Sequence, residues 1–131
     1  MIVVDASVVA HAITEPSDLG GRARAAIDGG GGLHAPHLID LEVANFLRKR
    51  IAAGTLDDEQ TSAALGDLIH LPIRRYPHGP MLPRIWELRE NATPYDASYI
   101  ALAEQLGCVF VTADARLGTV PAAQCPIEVL R

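Results

Sequence analysis

The sequence predicts an α/β fold in which helices cover both faces of a central, mainly parallel sheet of about four to five strands. Two apolar runs carry this prediction, because Met1–Val4 and Cys108–Val111 are rich in Val, Ile and Phe, as strands buried on both faces are. Segments with helical periodicity lie between such runs, which is typical of a three-layer α/β/α sandwich. A chain of 131 residues is long enough for one core, so we expect residues 1–131 to form a single domain.

The predicted strands are short apolar runs with breaks at their ends. The run at Met1–Val4 stops at Asp5. The run at Leu33–Ala35 stops before Pro36, which lacks the N–H that a continuing strand needs. In chain order, we expect strands at Met1–Val4, Leu33–Ala35, Pro72–Tyr76, Cys108–Val111 and, as a last edge strand, Ile127–Leu130.

The predicted helices carry start and stop signals. Asp57 with Gln60 three residues later is a capping-box pattern. Thr93 is the expected N-cap of the last long helix, with Pro94 at its first position and Gly107 at its end. In chain order, we expect helices at Ser7 to about His11, Asp18–Asp28, Leu38–Ala53, Asp57–His70, Pro80–Glu90 and Thr93–Leu106, a helical turn at Asp114–Gly118, and a flexible loop at the four glycines, 29–32.

Composition excludes several classes of protein. Apolar residues make up 49% and charged residues 21% of the chain, as in ordinary globular domains. The longest apolar runs fall short of a membrane span, and no basic segment precedes the first one, so we expect no membrane partner and no signal peptide. Cys108 and Cys125 form no CxxC pair, which favours a reduced, cytoplasmic protein, although a bridge between them stays open. The net charge of −5 argues against a broad basic surface for nucleic acid.

Four acidic residues stand where chemistry is expected. Asp5 directly follows the first strand and Asp114 follows the strand at Cys108–Val111, and the carboxyl ends of parallel strands meet at one edge of a sheet. Asp96 lies in the first turn of the helix that Thr93 begins. Glu42 lies on a helix stripe flanked by apolar side chains, where a charge needs a partner.

Each of these residues also has a purely structural interpretation. Asp5 and Asp114 are suitable helix caps, Asp96 suits a helix dipole, and Glu42 suits an ion pair. Convergence of all four favours a functional site, because carboxylates in one crevice repel and raise one another's pKa. A hard divalent cation such as Mg²⁺ removes that penalty, since it takes oxygen ligands.

Other sites find less support. The five histidines form no HExxH or HxH pair, and neither Ser7 nor Ser98 has a GxSxG setting. A dehalogenase-type phosphatase needs an acidic residue two positions after the first aspartate, where this chain has Ser7. A receiver domain needs an acidic pair after the first strand and a late lysine, whereas the only lysine is Lys49.

Four blocks of the sequence together resemble the PIN domain family and, within it, the VapC-type toxins of bacterial toxin–antitoxin pairs. The blocks are IVVDASV at 2–8, LEVANFLRK at 41–49, YDASYIALAEQLG at 95–107 and VTADARL at 111–117. Each block is weak alone, but their order and spacing are specific, and they cover most of the chain.

The resemblance implies a three-layer fold and an endoribonuclease that depends on Mg²⁺, with Mn²⁺ as a substitute. It implies that Asp5, Glu42, Asp96 and Asp114 form the catalytic and metal-binding set, supported by the polar residues Ser7, Asn45 and Thr112. It also implies a homodimer and a small antitoxin that covers the acidic crevice. No further acidic residue follows directly after Asp114, which puts a tightly held second metal in doubt.

The expected activity is therefore hydrolysis of RNA phosphodiester bonds by the toxin of a type II toxin–antitoxin pair. Lys49 and Arg116 are candidates for contact with substrate phosphates. Two alternatives stay open: a catalytically inactive PIN fold used for protein interaction, and a stand-alone PIN nuclease without an antitoxin. With the four proposed ligands set aside, the remaining charge is close to neutral, which suits local contact with RNA.

Overall fold

A computed structural model describes residues 1–29 and 31–131, in which five strands form one sheet. The strand order is β3-β2-β1-β4-β5, and all four pairings are parallel. The α/β/α prediction is confirmed, with the strand number at the upper end of the expected range. The strands are β1 (Ile2–Val4), β2 (Leu33–Pro36), β3 (Ile73–Tyr76), β4 (Val109–Thr112) and β5 (Ile127–Val129).

Six α-helices and two short 3₁₀ turns connect these strands. Helices α1 to α4 pack on one another, whereas α6 packs on β1, β2 and β4 and carries α5. Right-handed crossovers that run in opposite directions from β1 place these two groups on opposite faces of the sheet. The helices are α1 (Ala6–Thr14), α2 (Asp18–Asp28), α3 (Leu38–Ala52), α4 (Asp58–His70), α5 (Leu82–Glu87) and α6 (Pro94–Leu106), and the 3₁₀ turns are Gly79–Met81 and Ala115–Gly118.

The strand order creates a crevice between β1 and β4. From β1 the chain proceeds outward through β2 and β3, and it then returns to the other side of β1 as β4. Adjacent connections therefore leave this point in opposite directions, which opens a crevice at the carboxyl ends of the two strands. Val4 of β1 pairs with Val111 of β4, so the residues that follow these strands begin at the same level of the sheet.

Local signals explain why the helices next to the crevice begin where they do. The Thr93 hydroxyl accepts a hydrogen bond from the Asp96 N–H at 3.2 Å, and Gly107 ends α6 with φ of 65°, a left-handed conformation that suits glycine. Seven consecutive residues of α6, 97–103, are buried, so this helix is held on all sides. The capping box at Asp57 and Gln60 is present at the start of α4, as predicted.

Three predicted elements differ from the structure, apart from shifts of one residue at other element ends. The strand expected to stop before Pro36 includes it, and Pro36 pairs with Tyr76 of β3. Proline is tolerated there because the bond to the Tyr76 carbonyl is donated by the next N–H, that of His37. The expected turn or two after Asp5 is longer, because α1 continues to Thr14 with Val8, Val9, Ala10 and Ala12 buried. The helix expected over Pro80–Glu90 is wrong at both ends, since a 3₁₀ turn precedes α5 and α5 stops at Glu87. Pro83 has no N–H to bond to the preceding turn, so it is compatible only with the first turn of a helix that begins at Leu82.

Gly30, within the expected glycine loop, lies outside the described residues. Among the helices of residues 1–29 and 31–131, none is long and apolar enough to cross a membrane.

Candidate active site

A cleft of about 430 Å³ lies at the carboxyl ends of β1 and β4. The four acidic residues predicted from the sequence all line it, and so do both predicted phosphate contacts, Lys49 and Arg116, and two of the three predicted supporting residues, Ser7 and Asn45. The full set of lining residues is Asp5, Ala6, Ser7, Glu42, Asn45, Phe46, Lys49, Asp96, Tyr99, Asp114 and Arg116. The topology thus brings together side chains that are distant in sequence: they come from α1, α3, α6, the Ala115–Gly118 turn and the residues just after β1 and β4.

Asp5 is the deepest of the four carboxylates, with 7% of its surface exposed. Its Oδ1 accepts hydrogen bonds from the Ser7 hydroxyl at 2.5 Å and from the Val8 N–H at 3.2 Å. Its Oδ2 accepts from the Thr112 hydroxyl at 2.5 Å. Asp5 therefore does cap α1, as the structural interpretation expects, but its cap position also fixes the carboxylate at the floor of the cleft.

The Ser7 and Thr112 hydroxyls connect Asp5 to the loop that follows β4. Ser7 Oγ accepts a hydrogen bond from the Ala113 N–H, and Thr112 Oγ1 accepts one from the Asp114 N–H, each at 3.0 Å. Each hydroxyl thus donates to Asp5 and accepts from a backbone N–H on the other side of the crevice. Thr112 does not line the cleft, and its side chain is fully buried, so its contribution is to hold Asp5 and Asp114 in relation to each other.

Glu42 enters the cleft from α3 and has no ion pair among the described residues. Instead, its Oε1 accepts a hydrogen bond from the Tyr99 hydroxyl at 2.6 Å. Tyr99 is 1% exposed, and its ring stacks on Phe110 of β4 at a centroid distance of 5.8 Å. Glu42 therefore has the partner that its position requires, but this partner is the neutral phenol of Tyr99 on α6 and not the cation of an ion pair.

Tyr99 and Phe46 also line the cleft, and the sequence analysis did not predict them as site residues. Tyr99 follows Asp96 by three positions on a helix, so the two side chains share a face. That spacing is the signal that identifies Tyr99. Phe46 lies one turn after Glu42 on α3 in the same way, and it forms part of the apolar wall.

Asp96 and Asp114 complete the acidic set. Asp96 is half-buried in the first turn of α6, where the helix dipole favours a negative charge. Asp114 caps the 3₁₀ turn through the Arg116 N–H and also forms an ion pair with the Arg116 side chain, with Nη2 2.6 Å from Oδ2. The predicted phosphate residue Arg116 is thus bonded to one of the predicted ligands.

The electrostatics divide the four carboxyl groups into two classes. Burial raises the pKa of Asp5, Glu42 and Asp96, and the neighbouring negative carboxylates raise each of these pKa values further. The hydrogen bond from Arg116 lowers the pKa of Asp114. Three of the four groups consequently sit in a cleft that disfavours their negative charge, and a bound cation relieves this condition.

The donor set suits a hard divalent ion. All four acidic side chains offer oxygen atoms, as Mg²⁺ and Mn²⁺ prefer. Among residues 1–29 and 31–131, however, no three His, Cys, Asp or Glu side chains converge closely enough to hold an ion as they stand. The oxygen atoms of the four carboxylates therefore suit a metal in kind. In this structure, however, the carboxylates are spread around the cleft, and Arg116 forms an ion pair with Asp114.

The remaining predicted residues occupy the rim. Asn45 Oδ1 accepts two hydrogen bonds from the Arg48 guanidinium, at 2.8 and 3.1 Å, so it is oriented by a surface residue. Lys49 lies one turn further along α3, is exposed, and also lines the cleft. Lys49 and Arg116 thus bring positive charge into a cleft lined by four acidic residues, an arrangement that suits the approach of a polyanion.

Comparison with known proteins places the chain among proteins with this architecture. The PIN domain family profile matches residues 2–123. A VapC ribonuclease of Mycobacterium bovis is 45% identical over 130 residues, which cover 99% of this chain and 98% of that protein. Ribonuclease VapC1 of Mycobacterium tuberculosis is 42% identical over 99 residues, or 75% of this chain and 74% of that protein.

Among solved structures, the protein PAE2754 from Pyrobaculum aerophilum superposes with a TM-score of 0.70 at 28% identity, covering 98% of this chain and 83% of that one. VapC nucleases with a PIN domain are metal-dependent as a class, in agreement with the oxygen-rich cleft. The family match over nearly the whole chain, the high identity to a VapC protein and the shared parallel sheet agree with one another. The chain belongs to the PIN domain family.

Proposed function

We propose that this chain is a VapC-type toxin that hydrolyses phosphodiester bonds in RNA with the help of Mg²⁺. The observation that carries the proposal is that four acidic side chains line one cleft at the carboxyl ends of β1 and β4, where the chain connections leave in opposite directions. An identity of 45% to a VapC ribonuclease over nearly the full length supports the same activity. Burial and neighbouring carboxylates raise the pKa values of Asp5, Glu42 and Asp96, as expected of carboxylates whose negative charge a bound cation would stabilise.

Asp5, Asp96 and Asp114 would hold the metal, directly or through water, with Glu42 as a fourth oxygen donor. A divalent cation held by these residues would supply Lewis-acid chemistry, polarising the phosphate and its bound water and stabilising negative charge on the leaving oxygen. Mg²⁺ fits the site because it retains several waters and needs only a few carboxylates. Mn²⁺, which takes the same ligands, would substitute for it.

The protein residues would divide the remaining tasks. Asp5 is rigid because Ser7, Val8 and Thr112 occupy its oxygens, so it provides the fixed reference of the site. Glu42 has the Oε2 atom without a hydrogen-bond partner among the described residues, and this atom would orient the attacking water or the metal. At the rim, Lys49 and Arg116 would bind phosphates that flank the cleaved bond.

Cleavage of a single-stranded RNA by the wild-type protein and by Asp5→Asn, with Mg²⁺ and with EDTA, tests this function. We expect cleavage only by the wild type with metal, and products that carry a 5′-phosphate and a 3′-hydroxyl, because water attacks the phosphorus and the 2′-hydroxyl takes no part. Full activity of Asp5→Asn, or cleavage in EDTA, would contradict the mechanism. Binding of Mn²⁺ without any cleavage of RNA would favour an inactive interaction module.

We also propose that a small antitoxin protein covers the cleft and that two copies of the chain associate. Large apolar side chains stay exposed on this monomer, as interaction surfaces require: Leu41, Ile69, Leu82, Trp86 and Tyr95 are each more than half exposed. Light scattering of the purified protein tests the dimer, and a mass of one chain would contradict it. Growth arrest on expression, relieved by a co-expressed antitoxin, tests the toxin role, and its absence would favour a stand-alone nuclease.

A further inference from the structure

The Tyr99–Glu42 hydrogen bond joins one of the four cleft carboxylates to a residue that has no role in the proposed mechanism. The Tyr99 hydroxyl is 2.6 Å from Glu42 Oε1, and the two residues are 57 positions apart on α6 and α3. These two helices pack on opposite sides of the sheet, so the bond crosses the end of the sheet to join the two outer layers. It is the only hydrogen bond of the Glu42 side chain within the part of the chain that the structure describes.

Tyr99 is held more firmly than the carboxylate that it contacts. Its ring is 1% exposed and lies nearly parallel to the Phe110 ring, with 10° between the planes. The ring is also flanked in sequence by the buried residues Ser98 and Ile100. Glu42, by contrast, is half-buried and has three side-chain torsions to order, so the phenol is the fixed partner and the carboxylate the adjustable one.

The bond is asymmetric in a way that bears on the proposed reaction. A phenol O–H donates one hydrogen bond, and here it donates to Oε1 alone. The second oxygen, Oε2, keeps its lone pairs for a metal, a metal-bound water or the attacking water. Carboxylates that bind metals are generally oriented by such outer hydrogen bonds, and loss of the outer partner is costly.

We propose that Tyr99 is a positioning residue that acts through Glu42: its hydroxyl binds Oε1 and thereby presents Oε2 to the centre of the cleft. This inference rests on the proposed nuclease function and adds to it a residue outside the acidic set. Tyr99 contacts neither RNA nor metal in this role. It selects one orientation of Glu42 from the several that a half-buried glutamate adopts.

Tyr99→Phe tests the proposal, because it removes one oxygen atom and keeps the ring that stacks on Phe110. We expect kcat for RNA cleavage to fall by about 10- to 100-fold while KM changes less than about 3-fold. We also expect Mn²⁺ to bind the RNA-free variant more weakly in calorimetry, by about 3- to 10-fold, as an independent readout. A variant with wild-type kcat and wild-type Mn²⁺ affinity would overturn the proposal.

Tyr76→Phe is the matched control. Its hydroxyl also contacts a side chain at 2.6 Å, His34 Nδ1, but on β3 at the edge of the sheet and outside the cleft. We expect this variant to retain wild-type kcat and Mn²⁺ affinity. A comparable loss of kcat in both variants, accompanied by a comparable fall in melting temperature, would assign the effect of Tyr99 to stability and overturn the proposal.

A double-mutant cycle with Glu42→Ala distinguishes action through Glu42 from a direct effect. If Tyr99 acts through this carboxylate, adding Tyr99→Phe to Glu42→Ala causes no further loss of Mn²⁺ affinity. An additive loss would contradict the proposed route. Failure of the wild-type protein to cleave RNA would instead refute the proposed function, so the two failures are distinguishable.

Discussion

The Arg116 guanidinium donates two hydrogen bonds to the Asp114 carboxylate, from Nη2 to Oδ2 at 2.6 Å and from Nε to Oδ1 at 3.1 Å. Asp114 follows β4 at the crevice, and Arg116 is 83% exposed, so the pair forms at the rim of the cleft. In this arrangement, a cation supplied by the chain itself occupies the carboxylate that is proposed to bind metal. If Asp114 binds a metal as proposed, Arg116 would compete with the metal for this carboxylate and would also repel the metal.

Removal of this arginine should strengthen metal binding and weaken RNA binding. For Arg116→Ala we expect Mn²⁺ affinity to rise by about 2- to 5-fold, within the modest range of exposed charge effects. We expect KM for RNA to rise at the same time, since a phosphate contact is lost. Calorimetry and steady-state kinetics measure the two quantities, and Arg22→Ala, on exposed α2, is the control. Weaker Mn²⁺ binding by Arg116→Ala would contradict the competition.

Thr112→Val should loosen the floor of the cleft. Thr112 is fully buried, and its hydroxyl donates to Asp5 and accepts from the Asp114 N–H. Valine has the same shape but leaves the Asp114 N–H without its acceptor, so we expect the free energy of unfolding to fall by about 1–3 kcal/mol. Cleavage should fall with it. Chemical denaturation measures the loss, and an unchanged midpoint would show that the hydroxyl bridge is dispensable.

Metal should stabilise the protein, and Asp5→Asn should abolish that effect. A ligand at 100 times its dissociation constant adds about 2.7 kcal/mol, which is on the order of 10 °C in Tm for a chain of this size. Burial raises the pKa of Asp5, so its ionised form is costly without metal. We therefore expect metal-free Asp5→Asn to melt no lower than metal-free wild type. A wild-type Mg²⁺ shift in the variant would remove Asp5 from the metal site.

The Arg84–Glu104 pair should contribute stability that is lost in acid. Burial raises the pKa of Glu104, but hydrogen bonds from Arg84 and from the Gln124 N–H, each formed at 2.7 Å, outweigh it, and the net pKa lies below 4.5. Because the folded-state pKa is depressed, this stability is present above pH 4.5 and declines as pH falls through the folded-state value.

Glu104→Gln tests this contribution. We expect the variant to be about 1.5–3 kcal/mol less stable than the wild type at pH 7, the usual cost of losing hydrogen bonds to a charged group. The difference should shrink as the pH is lowered from 4.5. Glu87→Gln is the matched control, since Glu87 bonds the same arginine at 3.0 Å but is 64% exposed. A difference that stays constant with pH would contradict the assigned cause.

Much of the local structure follows from neighbouring residues, and the sequence predicts it correctly. The capping box of Asp57 and Gln60 and the limits of α6 at Thr93 and Gly107 depend on contacts within four residues. The positions of Asp5 and Asp114 after strands also follow from local pattern. The end of α5 does not, because packing of the following turn onto the core, with Leu88 fully buried, decides where that helix stops.

Sequence alone therefore determines the alternation of strands and helices, the four acidic positions and the family to which their blocks belong. Only the tertiary structure decides which distant side chains Glu42 and Asp5 contact. Glu42 accepts a hydrogen bond from Tyr99, 57 positions away, and Asp5 accepts one from Thr112, 107 positions away. Strand order brings these pairs together, and it depends on packing across the whole sheet, which no local window contains. Arg116 is the opposite case, since it bonds the carboxylate two residues before it, a local contact, and its contact with substrate phosphate stays a prediction.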